Sequence, residues 1–255
     1  MTPPRSSGSS RPSRPSGDRH APKPAPGERA PRAPDPERLL GRQPWETLRP
    51  LLPEGSCKPD EAMIALRGYT RSLLAWNRGV SNLVSRNDEV RLVERHLAES
   101  LAPAAMMLAS GCTRLIDLGS GAGLPAIPLA IAGIGGWWTL VESRRNKTLF
   151  MRKAIDELKL KNIDVTCSRL ETLVEEPEFT PVYDGFTSRA TMAVGPTLKL
   201  AYSALVPGGR AFLWKGSGHV SEMETTKAQW GPKWEFEAAH PILSGPNSVV
   251  VFIKK

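Results

Sequence analysis

Between Arg114 and Ile131 the sequence reads RLIDLGSGAGLPAIPLAI, with Asp117 followed by glycines at 119, 121 and 123. An acid near the end of an apolar run, alternate glycines and a second apolar run describe a strand that turns sharply into a helix. Glycine lacks a Cβ, so the turn can tighten and a ligand can approach the main chain. The helix that follows offers unpaired N–H groups to an anionic group. Glu142 ends the next apolar run, nineteen residues after Gly123, where a carboxylate can accept both hydroxyls of a ribose. That acid can also cap the helix behind it, but the glycine turn beside it favours ribose binding. Asp117, the three glycines and Glu142 therefore predict a pocket for a nucleoside-like cofactor.

These residues need a scaffold. From Gly111 onward strands and helices alternate: TRLIDL, a helix from Leu124 with Pro125 in its first turn, WWTLVE, the helix SRRNKTLFMRKAIDELKL, NIDVTC and YDGFTSRA. A helix from about Pro196, RAFLWKG, a short polar helix and the closing pair WEFEAAH and NSVVVFIKK complete the series. Apolar runs separated by helical segments predict a mostly parallel sheet covered on both faces, an α/β Rossmann-like domain over residues 111–255. Ligands of such sheets sit outside the carboxyl ends of the strands. Residues 37–110 have helical spacing and predict an N-terminal helical cap. Asp60 is placed to cap its second helix, and a third helix runs from about Asn87 to Ser110. Residues 1–36 are Pro-, Arg- and Ser-rich with little to bury, and are expected to be a disordered tail.

Lys and Arg outnumber Asp and Glu by 34 to 26, a balance that suits a polyanionic partner. Seven basic and two acidic residues precede Asp35, so about five of the eight excess charges lie in the tail. The three cysteines, Cys57, Cys112 and Cys167, are far apart and form no CxxC or Cys/His cluster. Neither a disulfide framework nor a metal site is expected, and Cys167 reads as a small buried residue. With no apolar run long enough to span a bilayer and no secretory signal, the chain is expected to be cytoplasmic and without a membrane partner.

The glycine spacing narrows the cofactor. Dehydrogenases favour G-x-G-x-x-G, whereas D-x-G-x-G-x-G, with a closing strand pair after the fifth strand, resembles the class I S-adenosylmethionine-dependent methyltransferases. No [DNS]-P-P-[YFW] motif follows the fourth strand and no Pro-Cys pair is present, which disfavours adenine and guanine amino-group transfer and cytosine C5 chemistry. WNRGVSNLVS, ERHLAESL, IDLGSGAGLPAIPLAI, SRLETL, YDGFTSRA and LWKG then occur in order. This series, running from about residue 60 to the end, resembles the ribosomal RNA small-subunit methyltransferase G family, also called glucose-inhibited division protein B.

The resemblance implies transfer of methyl from S-adenosylmethionine to N7 of one guanine in 16S ribosomal RNA, free or in the small ribosomal subunit, by a chain expected to act as a monomer. It also implies cofactor contacts at Gly119, Leu124, Leu170, Glu171 and Arg189. Asp117, Gly121, Gly123 and Glu142 join them from the reading above. Arg189 is the expected positioning residue, and Arg169, Lys215, Arg144 and Lys147 are expected to face RNA. His96 reads as a structural histidine, and Trp76 and Asn77 as the join between cap and sheet. Two departures are noted: Leu124-Pro125-Ala126 stands where the family often has Phe-Pro-Gly, and Glu99-Ser100 where it often has Asp-Ser. Competing readings are a small-molecule or protein methyltransferase, a non-catalytic RNA-binding or ribosome-assembly protein that keeps the pocket, and a nicotinamide enzyme.

Overall fold

Seven strands form one sheet: β1 (Arg114–Leu118), β2 (Trp137–Val141), β3 (Ile163–Thr166), β4 (Tyr183–Arg189), β5 (Leu205–Lys215), β6 (Trp234–Pro241) and β7 (Ser248–Lys254). The computed structural model describes residues 35–255; the expected tail lies outside them apart from Asp35 and Pro36. The strand order is β3-β2-β1-β4-β5-β7-β6. The first five are parallel, and β7 runs antiparallel between β5 and β6. This is the expected Rossmann-like methyltransferase sheet with its closing strand pair. The chain turns from β1 to β2 on one side and later places β4 on the other, so the crevice for a ligand falls at the end of β1.

Side chains alternate across a strand, and β1 shows the consequence. Leu115 joins Trp138, Phe150 and Phe212 in one core, whereas Ile116 and Leu118 join Phe186, Leu198 and Phe252 in the other. The Val194–Ala204 and His219–Trp230 helices cover the second core. The helical cap covers the first, and its Leu48, Leu66, Leu73 and Leu97 belong to the same buried cluster as Leu115. Residues 35–255 are accordingly one compact unit, with cap and sheet sharing a core. Trp76 packs on Phe150 of the Arg145–Glu157 helix at 5.8 Å between ring centroids, which makes it part of the expected join.

Several local expectations are corrected. The cap begins at Pro36, with Asp35 accepting a hydrogen bond from the Glu37 N–H. Asp60 lies inside the first turn of the Pro59–Gly79 helix, behind Lys58 and Pro59, and bonds Arg49 at 2.6 Å instead of capping. Asn77 pins the cap's own loop, accepting from the Leu83 and Val84 N–H groups and donating to buried Glu89.

The stretch 87–110 is no single helix. It divides into Arg86–Glu89, a π-helical turn at Leu92–Leu97, and the segments Ala98–Leu101 and Ala104–Ala109. Pro103 supplies no N–H and ends the third segment. Among the described residues no helix is long and apolar enough to cross a membrane.

Candidate cofactor and substrate site

The carboxyl ends of five adjacent strands carry the predicted residues: Arg169–Glu171 after β3, Glu142 after β2, the glycine turn after β1, Arg189 on β4 and Lys215 on β5. Hydrogen bonds tie the first of these together. The Gly119 N–H donates to the Val141 carbonyl at 2.9 Å. Glu142 is buried, and its Oε2 accepts from the Gly121 N–H at 3.0 Å while Oε1 accepts from the Arg144 N–H at 2.8 Å. Glu142 thus steadies both the turn and the start of the following helix, and each carboxylate oxygen keeps a lone pair for a ribose hydroxyl.

The three glycines serve different ends. All have positive φ, +67°, +60° and +87°, a region that L side chains avoid. A Cβ at Gly119 would lie 2.7 Å from Thr191 Cγ2, and one at Gly123 only 2.3 Å from Ile127 Cδ1. At Gly121 the nearest atoms, the Gly119 carbonyl and Lys147 Nζ, are 3.8 Å away. Gly119 therefore admits the loop after β4, Gly123 admits the turn's own helix, and Gly121 is where a ligand can reach the main chain.

The helix begins at Ala126, two residues later than expected, with Pro125 in front of it. The Gly123, Leu124 and Ile127 N–H groups bond to carbonyls of the turn, so this helix start does not present them to an anion.

Asp117 is fully buried on the cap side of β1. Its Oδ1 accepts from Thr187 Oγ1 at 2.6 Å, and Oδ2 has no partner. Loss of water around the carboxylate raises its pKa to about 7, against the pull of Thr187. His96 moves the other way: burial and then nearby Arg189 depress it to about 4, despite Asp88.

The linkage signs follow. Native Asp117 holds a proton that the unfolded chain releases, so its contribution is full below about 3.8 and is lost as pH rises through about 7. Neutral His96 must gain a proton on unfolding, so its contribution is lost as pH falls from about 6.5 to about 4. The two oppose each other in the overlapping window. Asp117→Asn removes one of them and is expected to gain roughly 2–4 kcal/mol on the wild type between pH 4 and 7. Urea denaturation at stepped pH checks this, and a parallel pair of pH profiles would contradict it.

Arg189 reaches out of the sheet into the cap. Its guanidinium donates to the Arg95 carbonyl at 3.0 Å, the His96 carbonyl at 3.2 Å, Ser100 Oγ at 3.1 Å and Glu99 Oε2 at 2.7 Å. The π-helical turn exposes the two carbonyls, and the Glu99-Ser100 pair completes the clamp. Burial lowers the Arg189 pKa. This arginine holds the cap against the end of β4, a role that its place in the sequence did not reveal. Trp214 Nε1 reinforces the clamp by donating to the Glu99 carbonyl at 2.9 Å.

Other expected residues are sorted by burial. Leu170 is buried in the second core, so only its main chain can face a ligand, whereas Glu171 and Arg169 are exposed. Cys167 is exposed, contrary to the buried place expected of it, because it lies just past the end of β3.

Lys215 is not a free cation. Its Nζ donates to the Met192 carbonyl and, at 3.1 Å, to Glu222, with the side chain only 10% exposed. That ion pair ties β5 to the His219–Trp230 helix, while Lys215 also lines the cavities at the ends of β4 and β5. Arg144 is exposed and Lys147 half-buried, and among the described residues neither forms an ion pair.

Tyr69 is a residue that sequence reasoning missed. From the long cap helix its buried hydroxyl donates to the Ala122 carbonyl of the glycine turn at 2.7 Å. Tyr69→Phe leaves that buried carbonyl without its partner and is expected to cost about 1–3 kcal/mol, read by denaturant unfolding. A change below about 0.5 kcal/mol would show that the bond does not steady the turn.

A family model described as rRNA small subunit methyltransferase G matches residues 63–247. Ribosomal RNA small subunit methyltransferase G of Klebsiella pneumoniae (strain 342) is 32% identical over 204 residues, covering 77% of this chain and 95% of its own. The protein of the same name from Stenotrophomonas maltophilia (strain K279a) is 38% identical over 182 residues, covering 71% of this chain and 82% of its own. Among solved structures, cofactor-bound Rv0187 from MTB superposes with a TM-score of 0.55 at 13% identity, covering 75% of this chain and 89% of that one. This last likeness bears on the fold alone.

Proposed function

The chain belongs to the rRNA small subunit methyltransferase G family, and on that premise we propose that it transfers a methyl group from S-adenosylmethionine to N7 of a guanine in 16S ribosomal RNA. The observation that carries the reading is that the matched segment, residues 63–247, contains every predicted residue gathered at the strand ends.

The residues present fit the cofactor. A Cβ at Gly121 would meet nothing closer than 3.8 Å, Glu142 offers lone pairs to ribose hydroxyls, and Asp117 Oδ2 is a buried polar atom without a partner. The methionine ammonium would complement Asp117, whose carboxyl would then give up its proton. When bound, S-adenosylmethionine supplies a methyl group on a positively charged sulfur.

Guanine N7 carries an in-plane lone pair and no proton, so no side chain has to act as general base. The protein's work is alignment and exclusion of water. That fits a site in which the ionisable side chains are engaged in holding structure: Glu142 on the turn, Arg189 on the cap and Lys215 on Glu222.

Arg144, Lys147 and Arg169 stand beside the same strand ends and supply the positive rim for RNA phosphate. Replacing all three by alanine is expected to flatten the slope of log affinity against log salt by about 2–3, roughly one for each phosphate left without its cation. Filter binding of small-subunit RNA across a salt series measures it, and an unaltered slope would move the interface elsewhere. The same reading takes the chain to act as a monomer in the cytoplasm, where small subunits are assembled.

The test is incubation of the full chain with labelled cofactor, with and without small subunits that lack the modification. Label in the RNA is the expected result. Transfer that proceeds equally without RNA would favour a small-molecule substrate, and binding of cofactor without transfer would favour a non-catalytic protein.

A further inference from the structure

Three cavities of about 260, 200 and 360 Å³ share walls and form one cleft across the ends of β4 and β5. The cleft begins at Thr191, whose methyl group closes on Gly119, and passes Gly216. It ends between Glu99 of the cap and the Ile242–Asn247 connection of β6 and β7. Two features of its wall bear on what it can hold. Ala190 in its wall has φ of +54°, a left-handed conformation that strains a residue with a Cβ and recurs at ligand clamps. Half-buried Asn247 lines two of the three cavities, yet its side-chain amide has no hydrogen-bond partner among the described residues.

We infer that this cleft seats the acceptor guanine, with Asn247 and Glu99 reading its Watson–Crick edge. The inference rests on the N7 reading above. Around the purine ring O6 adjoins N7 and is followed by N1–H and the 2-amino group, so a base whose N7 faces the glycine turn carries its Watson–Crick edge along the cleft toward the cap and the β6–β7 connection. On that edge O6 accepts, while N1–H and the 2-amino group donate. A side-chain amide has one donor end and one acceptor end, so Asn247 matches O6 and N1–H side by side. An ionised carboxylate only accepts; Glu99 keeps lone pairs beyond the one that Arg189 uses and takes the 2-amino group. Adenine has no 2-amino group and would leave Glu99 facing no donor, a mismatch that a site built for hydrogen bonds rejects. Neither residue touches N7 in this arrangement.

The test compares the full-length wild type, Asn247→Ala and Asn247→Asp on small subunits lacking the modification. It measures kcat, KM and 7-methylguanosine, and the affinity for S-adenosylhomocysteine by titration. Asn247→Ala is expected to keep that affinity within about twofold while kcat/KM falls about 10- to 100-fold, the range of a bidentate base pairing. Asn247→Asp should fall further, because its carboxylate faces O6. Equal kcat/KM in all three proteins overturns the assignment, as does a loss matched by an equal loss of cofactor-product affinity. A wild type that forms no 7-methylguanosine overturns the N7 reading and takes this one with it, so the two failures are distinct.

Discussion

Arg189→Ala is expected to lower the free energy of unfolding by about 2–4 kcal/mol, because it removes one partner of a half-buried ion pair and leaves Glu99 with only the longer contact to Arg95. The loss extends beyond that pair. Ser100 and the carbonyls of Arg95 and His96 lose a donor at the same time. Arg189→Lys should restore only part of the stability, since a single ammonium cannot span acceptors that a planar fork reaches on several sides. Methyl transfer should fall with the clamp. Hydrogen exchange in residues 92–101 should rise well above exchange in β1 and β4. Unchanged exchange in that segment with turnover abolished would mean that the guanidinium acts on bound reactants and not through the cap.

Gly121→Ala and Gly123→Ala should separate binding from folding within one turn. At Gly121 an added methyl meets nothing closer than 3.8 Å, so its cost is the left-handed backbone alone, about 1–2 kcal/mol. The methyl occupies the space where a ligand would lie, and affinity for S-adenosylmethionine is expected to drop at least about tenfold, or about 1.4 kcal/mol. At Gly123 the same backbone cost is joined by a collision with the Ile127 side chain at 2.3 Å, and overpacking adds about 1–3 kcal/mol. The Gly123 variant should therefore melt markedly earlier than the Gly121 variant. Thermal unfolding and cofactor titration of both proteins decide it. A folded Gly121→Ala with unaltered affinity would place the cofactor away from this turn.

The sheet was legible because its signals are local. Apolar runs such as RLIDL and SVVVFIK are buried on both faces and bounded by turns, and they became β1 and β7 at those positions. The acid-and-glycine turn was legible as a turn. Its division of labour was not, because part of what faces the glycines comes from elsewhere: Thr191 from the loop after β4 for Gly119, and Lys147 from the helix after β2 for Gly121.

Long-range pairings were the main blind spot. Nothing near Arg189 in the chain shows that it would span 90 residues to Glu99, nor anything near Tyr69 that its hydroxyl would meet Ala122. The partner of Lys215 was hidden for the same reason, since Glu222 sits on a helix whose position depends on packing. The break of the 87–110 stretch had a signal in Pro103. The π-helical turn had none that spacing alone could give, and the partner of its Arg95 and His96 carbonyls, Arg189, comes from a distant strand.

The central claim is a methyl group placed on guanine N7 of small-subunit RNA by a cofactor seated at Gly121 and Glu142. The most direct measurement is nucleoside analysis of 16S ribosomal RNA, taken from small subunits lacking the modification, after reaction with the full chain and S-adenosylmethionine. One equivalent of 7-methylguanosine per RNA, falling strongly with Gly121→Ala, is the predicted result. A methyl group on an exocyclic amine, on ribose or on no nucleoside at all would contradict it.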